Sequence, residues 1–431
     1  MLRDIERNQR PAPKQARRFN SADTSARRAA SALLACALLC SYLLMPEALW
    51  RRLAPTARAA SLVVNTNDDA DDGLCDLTHC SLREAIKAAN VAADSNVIGF
   101  EIPGSGVQTI SPLTKLPAIT QPVTIDGYTQ PGASANTLAG GNDAVLLIEL
   151  DGTNVPMPSA ADRAHGLFVS ASGVTIRGLV INRFLYAGIE MQKPGGNNTV
   201  EGNFIGTDPT GTVALGNREY GIFLGRSNDN LIGGTTPAAR NLITSNGAGG
   251  NRTGILISGD GGSTDGTGNR IEGNFIGTNR HATAALGNAI TGVDFSAAVG
   301  NTVGGMTAGA RNVISGNIRG LDFSPGAKAN VVLGNYIGTD VTGTADVGNT
   351  THGIRLQGGP NIVGGIGEAA RNVISGNDAS GIDFISNATG SVIRGNYIGT
   401  DAGGTSPLPN GAGVRFNGNT PSGNTVGGTA G

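Results

Sequence analysis

The sequence predicts an all-β chain folded as a parallel β-helix solenoid, with a small strand-plus-helix cap at its N-terminal end. Three observations lead there. Glycine supplies 67 of 431 residues and aromatics only 4%, too few rings for several compact cores. Hydrophobic residues still make up 39%, which sets the chain apart from disordered sequences. Short words of Gly, Asn, Thr and Val/Ile recur at fixed spacing, and no helical periodicity of more than a few turns interrupts them.

Residues 1–59 read as a signal peptide and leader. A basic stretch with Arg17, Arg18, Arg27 and Arg28 precedes an apolar run from Ala29 to Met45. Ala57-Arg58-Ala59 then offers small residues at the two positions a signal peptidase reads, so cleavage is expected near Ala59. At roughly 17 residues the apolar run is marginal for a permanent membrane helix, and the mature chain is expected to have no transmembrane domain. Cys36 after Leu33-Leu34-Ala35 forms only an imperfect lipobox. The leader holds 11 of the 31 Lys+Arg and 4 of the 33 Asp+Glu, leaving 20 against 29, or −9. An acidic chain without basic clusters excludes nucleic acid as a partner.

Residues 60–110 read as the cap. Leu62-Val63-Val64 is a short strand, followed by an acidic loop. Ser81-Leu82-Arg83-Glu84 has capping-box spacing, and Leu82, Ala85, Ile86 and Ala89 share one helical face. Such a helix would shield the open edge of a first coil. Cys75 and Cys80 are the two cysteines left after the leader, and an exported setting points to a disulfide between them. His79 offers zinc a third donor but no fourth lies nearby. Asp68, Asp69, Asp71 and Asp72, with Asp76, crowd one loop, where calcium is the structural cation the chemistry would accept. Ala70 departs from the EF-hand pattern, which favours a solvated acidic loop, and no cofactor is required.

Residues 111–431 carry the repeats. Gly202-Asn203-Phe204-Ile205-Gly206-Thr207 returns around Asn274, Asn335 and Asn396, at steps of 71, 61 and 61. Ala239-Arg240-Asn241-Leu242-Ile243 returns at Ala310 and Ala370. A third word, Gly-aliphatic-x-apolar, starts at Gly221, Gly254, Gly292, Gly320, Gly353, Gly381 and Gly413, which gives two coils per unit. Each coil reads as three short strands, for example Gly353 to Leu356, Asn361 to Gly364 and Asn372 to Ser375. Coils that cannot bury their inner faces alone must stack, with strands about 4.8 Å apart. Asn and Gly at equivalent corners suit left-handed turns, and the Asn residues also suit a hydrogen-bonded ladder. Gly247 to Gly268 reads as an insertion. The chain stops at Gly431 inside a repeat, so the stack is read as truncated at its C-terminus.

Cys80-Ser81-Leu82-Arg83-Glu84-Ala85-Ile86, with Cys75 and Asn65-Thr66-Asn67-Asp68-Asp69 before it, resembles the CSLREA motif that opens many bacterial extracellular proteins. The Asn-Tyr-Ile-Gly-Thr-Asp and Ala-Arg-Asn-Val-Ile-Ser-Gly-Asn words resemble the β-helix repeats that follow it there. The resemblance implies the right-handed parallel β-helix of the pectin-lyase-like superfamily and a secreted or cell-surface protein. It implies no single activity, because that fold hosts lyases, hydrolases and non-catalytic adhesins.

The sharpest constellation is the third position of the repeated strand: Phe223, Leu256, Asp294, Asp322, Arg355, Asp383 and Arg415. In register, Asp294 and Asp322 would lie about 5 Å apart, a spacing found between the carboxylates of retaining glycosidases. Asp294, Asp322, Arg355 and Asp383 are therefore the catalytic candidates for a polysaccharide lyase or glycoside hydrolase, although the alternating signs equally describe a surface ion-pair ladder. No Ser-His-Asp word, phosphate loop or HExxH motif occurs. The preferred expectation is a monomeric, adhesin-like surface that binds an extracellular polysaccharide or another cell-surface polymer. A spacer for a further C-terminal domain is the third reading.

Overall fold

The computed structural model describes residues 61–92, 96–159, 162–249, 252–262, 264–418 and 421–428. The expected leader, 1–59, lies outside them. Among the described residues, three sheets of twelve, ten and nine strands run up the stack, and the strands within each pair in parallel. The first sheet runs from Ser61–Val64 to Thr425–Val426, the second from Gln108–Ile110 to Tyr397–Ile398, and the third from Leu167–Val169 to Val414–Phe416. The chain visits them in turn: Thr302–Gly304, Val313–Ile314 and Arg319–Phe323 make one coil, and Val331–Leu333 returns to the first sheet. This is a right-handed parallel β-helix, the hand that parallel crossovers take.

Strand alternation decides which side chains make the core. Val303, Ile314, Leu321 and Phe323 point inward from that coil and are all 0% exposed. Register stacks like on like, so Val293, Leu321, Ile354 and Ile382 form one column. The Phe295 and Phe323 rings lie 4.6 Å apart and 2° from parallel. Burying each such side chain stabilises the fold by about 1.5–3 kcal/mol.

The corners are held by three asparagine ladders. One runs Asn198, Asn230, Asn269, Asn301, Asn330, Asn361. A second runs Asn203, Asn241, Asn274, Asn312, Asn335, Asn372, Asn396. The third runs Asn217, Asn246, Asn288, Asn317, Asn349, Asn377, Asn410. These residues do not take the left-handed turns that their composition suggested. At many rungs the residue before them does: in the second ladder Gly202, Gly273, Gly334 and Gly395 have φ between 65° and 72°, and in the others Asn197, Asp229, Ser245 and Ala329 have φ between 52° and 60°. A Cβ on Gly334 would meet the Gly305 carbonyl oxygen at 2.3 Å, so the corner both turns and closes too tightly for a side chain. The asparagine beside it is thereby left free to serve the ladder.

At the N-terminal end, Ser61–Val64 and Asn96–Phe100 pair as the first two strands of the twelve-stranded sheet. Helix α1 (Leu82–Val91) lies between them in sequence and begins with the capping box of Ser81 and Glu84. Its face of Leu82, Ala85, Ile86 and Ala89 shares the core of Val64 and Ile98. Among the described residues no helix is long and apolar enough to cross a membrane.

Candidate functional site

The third sheet turns one row of side chains outward, and backbone pairing fixes their order. The row is Phe168, Glu190, Phe223, Leu256, Asp294, Asp322, Arg355, Asp383 and Arg415, one residue per coil. At strand spacing it extends for about 38 Å. A flanking row, three residues earlier on each strand, adds Tyr220, Thr253, Thr291, Arg319, His352 and Ser380.

The structure brings the four catalytic candidates together and ties three of them down. Asp322 is 2% exposed and forms a two-bond pair with Arg355, through Nε at 2.9 Å and through Nη2, while Arg319 stands 3.6 Å away. Asp383 is 1% exposed and takes Nε and Nη2 of Arg415 at 2.9 Å each. His352 places Nε2 3.5 Å from Asp383 and Nδ1 2.8 Å from the Ser380 hydroxyl. Burial, reinforced by the neighbouring arginines, holds this imidazole below its ordinary pKa despite the carboxylate.

Asp294 differs. Its Oδ1 is buried and makes no hydrogen bond, beside a cavity of about 140 Å³ lined by Tyr220, Arg252, Thr291 and Ser324. Burial and then the charge of Asp322 push its carboxyl up to about 7. It is the one carboxyl of the four candidates without an arginine bound to it.

The other half of the row is aromatic and apolar apart from Glu190, with Tyr186, Tyr220 and Arg163 beside it. Tyr220 and Phe223 stack at 5.3 Å, and Tyr186 meets Tyr220 edge-on at 5.5 Å. Arg163 lies over the Tyr186 ring at 4.9 Å and donates to Glu190 at 2.7 Å. Gln192 donates to the same carboxylate at 2.8 Å, and His165 Nδ1 lies 3.3 Å from its other oxygen. Burial raises the Glu190 pKa, but these three donors outweigh it and hold the carboxyl below its ordinary value. Lys115, Arg163, His165, Phe168, Glu190 and Gln192 line an open hollow of about 330 Å³. The sequence reading began the row at Phe223 and missed Phe168 and Glu190. The signal was present, since Gly166-Leu167-Phe168-Val169 and Gly188-Ile189-Glu190-Met191 carry the same word.

Two expectations change. Gly247 to Gly268 is not simply an insertion, because it contains Thr253–Ser258, an ordinary strand of the third sheet. Its later part is held by Lys193 to Asp265 at 2.6 Å and by Asn228 to the Thr264 carbonyl at 2.7 Å. Those contacts are with earlier coils, away from Asp322 and Arg355. The four aspartates named for calcium do not converge either. Asp69 is bound by Arg83 at 2.8 and 2.9 Å, Asp71 pairs with Lys87, and Asp68 lies 3.2 Å from His79. Arg83 and Lys87 thus neutralise Asp69 and Asp71 one at a time, while among the described residues Asp72 accepts only from the Leu74 backbone N–H. The ligand atoms that do gather, within 4.8 Å of one another, belong to Asp72, His79 and Glu84. Cys75 and Cys80 are disulfide-bonded. A hollow of about 770 Å³ lies beside that loop against Ile102, Pro103 and Pro131 and includes no residue of the row.

Fold and site together define a protein of the right-handed parallel β-helix class with an outward row of aromatic, acidic and basic side chains. No family model and no curated protein matches the sequence. Among solved structures it is similar to the mannuronan C-5 epimerase AlgE6 A-module of Azotobacter vinelandii, at 14% identity and TM-score 0.44, over 84% of this chain and 98% of that one. It is also similar to pectate lyase Pel9A, at 15% identity and TM-score 0.38, over 87% and 80% of the two chains. An alginate lyase from Paenibacillus sp. str. FPU-7 matches at 14% identity and TM-score 0.36, over 85% and 98%. Likeness at this level is likeness of fold.

Proposed function

We propose that this protein is an exported, non-catalytic β-helix that binds an extended polysaccharide along the outer row of its third sheet. The observation that carries the reading is the gathering of aromatics. They make up only 4% of the chain, yet Tyr186, Tyr220 and Phe223 touch one another there and Phe168 stands two strands from Phe223 in the same row, with Arg163 and Glu190 among them. Tyr220 and Phe223 are buried, and Phe168 and Tyr186 are half-buried. The half-buried rings of Phe168 and Tyr186 give apolar surface to sugars, while the charged groups take hydroxyls and carboxylates. Weak contacts repeated from coil to coil add up along a polymer. Export and a secreted or cell-surface location rest on the leader, the disulfide and the CSLREA resemblance.

The carboxylates of Asp322 and Asp383 are held by arginines, which favours an ion-pair ladder over acid–base work. One observation favours an enzyme: the Asp294 carboxyl, bound by no arginine and with Oδ1 free of hydrogen bonds beside its own cavity, a suitable general acid or base near neutral pH. The test is to apply the purified protein to immobilised acidic and neutral polysaccharides, with calcium and with chelator, and to follow both retention and new reducing or unsaturated ends. Retention without product, weakened in Phe168→Ala, supports the binding surface. Product that disappears in Asp294→Asn replaces it with a polysaccharide lyase or hydrolase. Neither signal sinks both and leaves the spacer.

A further inference from the structure

The second sheet carries a repeated device that the polysaccharide reading does not use. Phe204, Phe275, Tyr336 and Tyr397 are the aromatic members of the four long repeats, and each lies two strands from the next in that sheet. Every one is covered by an arginine: Arg280 at 5.6 Å, Arg240 at 4.4 Å, Arg311 at 4.2 Å and Arg371 at 4.1 Å from the ring centre.

At the first two sites the chain lays its own backbone across the guanidinium groups. Arg240 donates through Nη1 and Nη2 to the carbonyls of Leu138 at 2.9 Å, Ala139 at 2.8 Å and Gly141 at 2.5 Å. Arg280 donates to those of Asn142 at 2.6 Å and Ala144 at 3.0 Å. Burial under these neutral acceptors lowers the Arg240 pKa to about 10, so the charge itself is left uncompensated. Arg311 and Arg371 keep only the bond that Arg240 makes through Nε, to the Gly334 and Gly395 carbonyls. Among the described residues no carbonyl takes their Nη groups, and the nearest carboxylate is Glu368, 4.0 Å from Arg371. A hollow of about 360 Å³, between Gly140 of the covering segment and Arg311, continues the same path.

We propose that Arg311 and Arg371, each stacked on its tyrosine, bind an extended acidic polypeptide segment of a partner, laid along the second sheet as residues 138–144 are laid over Arg240 and Arg280. The observed occupant of the first two sites is polypeptide, and its main-chain oxygens are what the arginines hold. The open sites stand two strand spacings apart, about 9.6 Å. A polyproline II chain repeats every three residues over about 9.3 Å, whereas side chains on one face of a β-strand recur after about 6.7 Å. A carboxylate at every third position therefore meets each guanidinium and supplies the charge that carbonyls do not.

The test is fluorescence anisotropy of the full chain with a labelled peptide of Glu-Pro-Pro repeats, against the Gln-Pro-Pro peptide and polygalacturonate. The Glu peptide is expected to bind more tightly than the Gln peptide and to weaken with salt. Arg311→Gln and Arg371→Gln should each reduce affinity about tenfold, the loss expected for a charged hydrogen-bonding partner. Arg311→Lys, which keeps the charge without the planar fork, should fall between, and a thermal melt confirms that each variant is folded. Peptide affinity unchanged in the folded double variant overturns the proposal, as does binding of polygalacturonate in place of the peptide at these arginines. Phe168→Ala separates the two surfaces: it should weaken polysaccharide retention and leave peptide affinity as it was.

Discussion

Asp294 ties the geometry of the outer row to a measurable pH dependence. Its carboxyl titrates near 7 in the fold against 3.8 as the reference value, through burial first and the Asp322 charge second. Between those values the folded chain holds a proton that the unfolded chain has released. Stability must therefore fall as pH rises from about 4 to about 7 and level off above. A displacement of roughly three pH units, at about 1.36 kcal/mol each, gives about 4 kcal/mol as the upper end of the effect. Asp294→Asn keeps the shape and cannot ionise. The variant should match the parent near pH 4 and gain on it steadily, by up to about 4 kcal/mol at pH 8. Urea unfolding followed by circular dichroism at a series of pH values measures this. Because a solenoid need not unfold in one step, the comparison is made between the two proteins at each pH. Asp322→Asn removes the second cause and should shift the window to lower pH. A parent–variant difference that stays flat from pH 4 to pH 8 would refute the account of this site.

Asn312 sits mid-ladder, giving Nδ2 to Asn335 at 2.9 Å and to the Ile271 carbonyl at 2.8 Å, and accepting from the Asn274 backbone at 2.9 Å. Asn312→Ala leaves several buried groups unpaired and should cost about 3–5 kcal/mol, read as a lower urea midpoint with the strand signature unchanged. Millimolar calcium should leave the thermal midpoint unmoved, because Asp69 and Asp71 already have Arg83 and Lys87. In Arg83→Gln, Asp69 loses its partner, and calcium should then raise the midpoint.

The sequence alone was enough for the solenoid, its two coils per unit and the order of Phe223 through Arg415. A repeat forces equivalent residues into equivalent places, and strand alternation then assigns each to core or surface. The capping box at Ser81 and Glu84 was legible for the same local reason. What stayed hidden depended on contacts between residues far apart in the chain. The occupation of Asp322 and Asp383 by arginines 33 and 32 residues on, and the lack of a bound arginine at Asp294, follow from which side chains meet across the strands. The pairing of Asp69 with Arg83 depends on how the acidic loop folds back onto its helix. The crossing of residues 138–144 over Arg240, some hundred residues later, is set by a loop that no repeat describes. Periodicity specifies position along the stack, but charge, burial and cover at each position arise only when the coils close on one another.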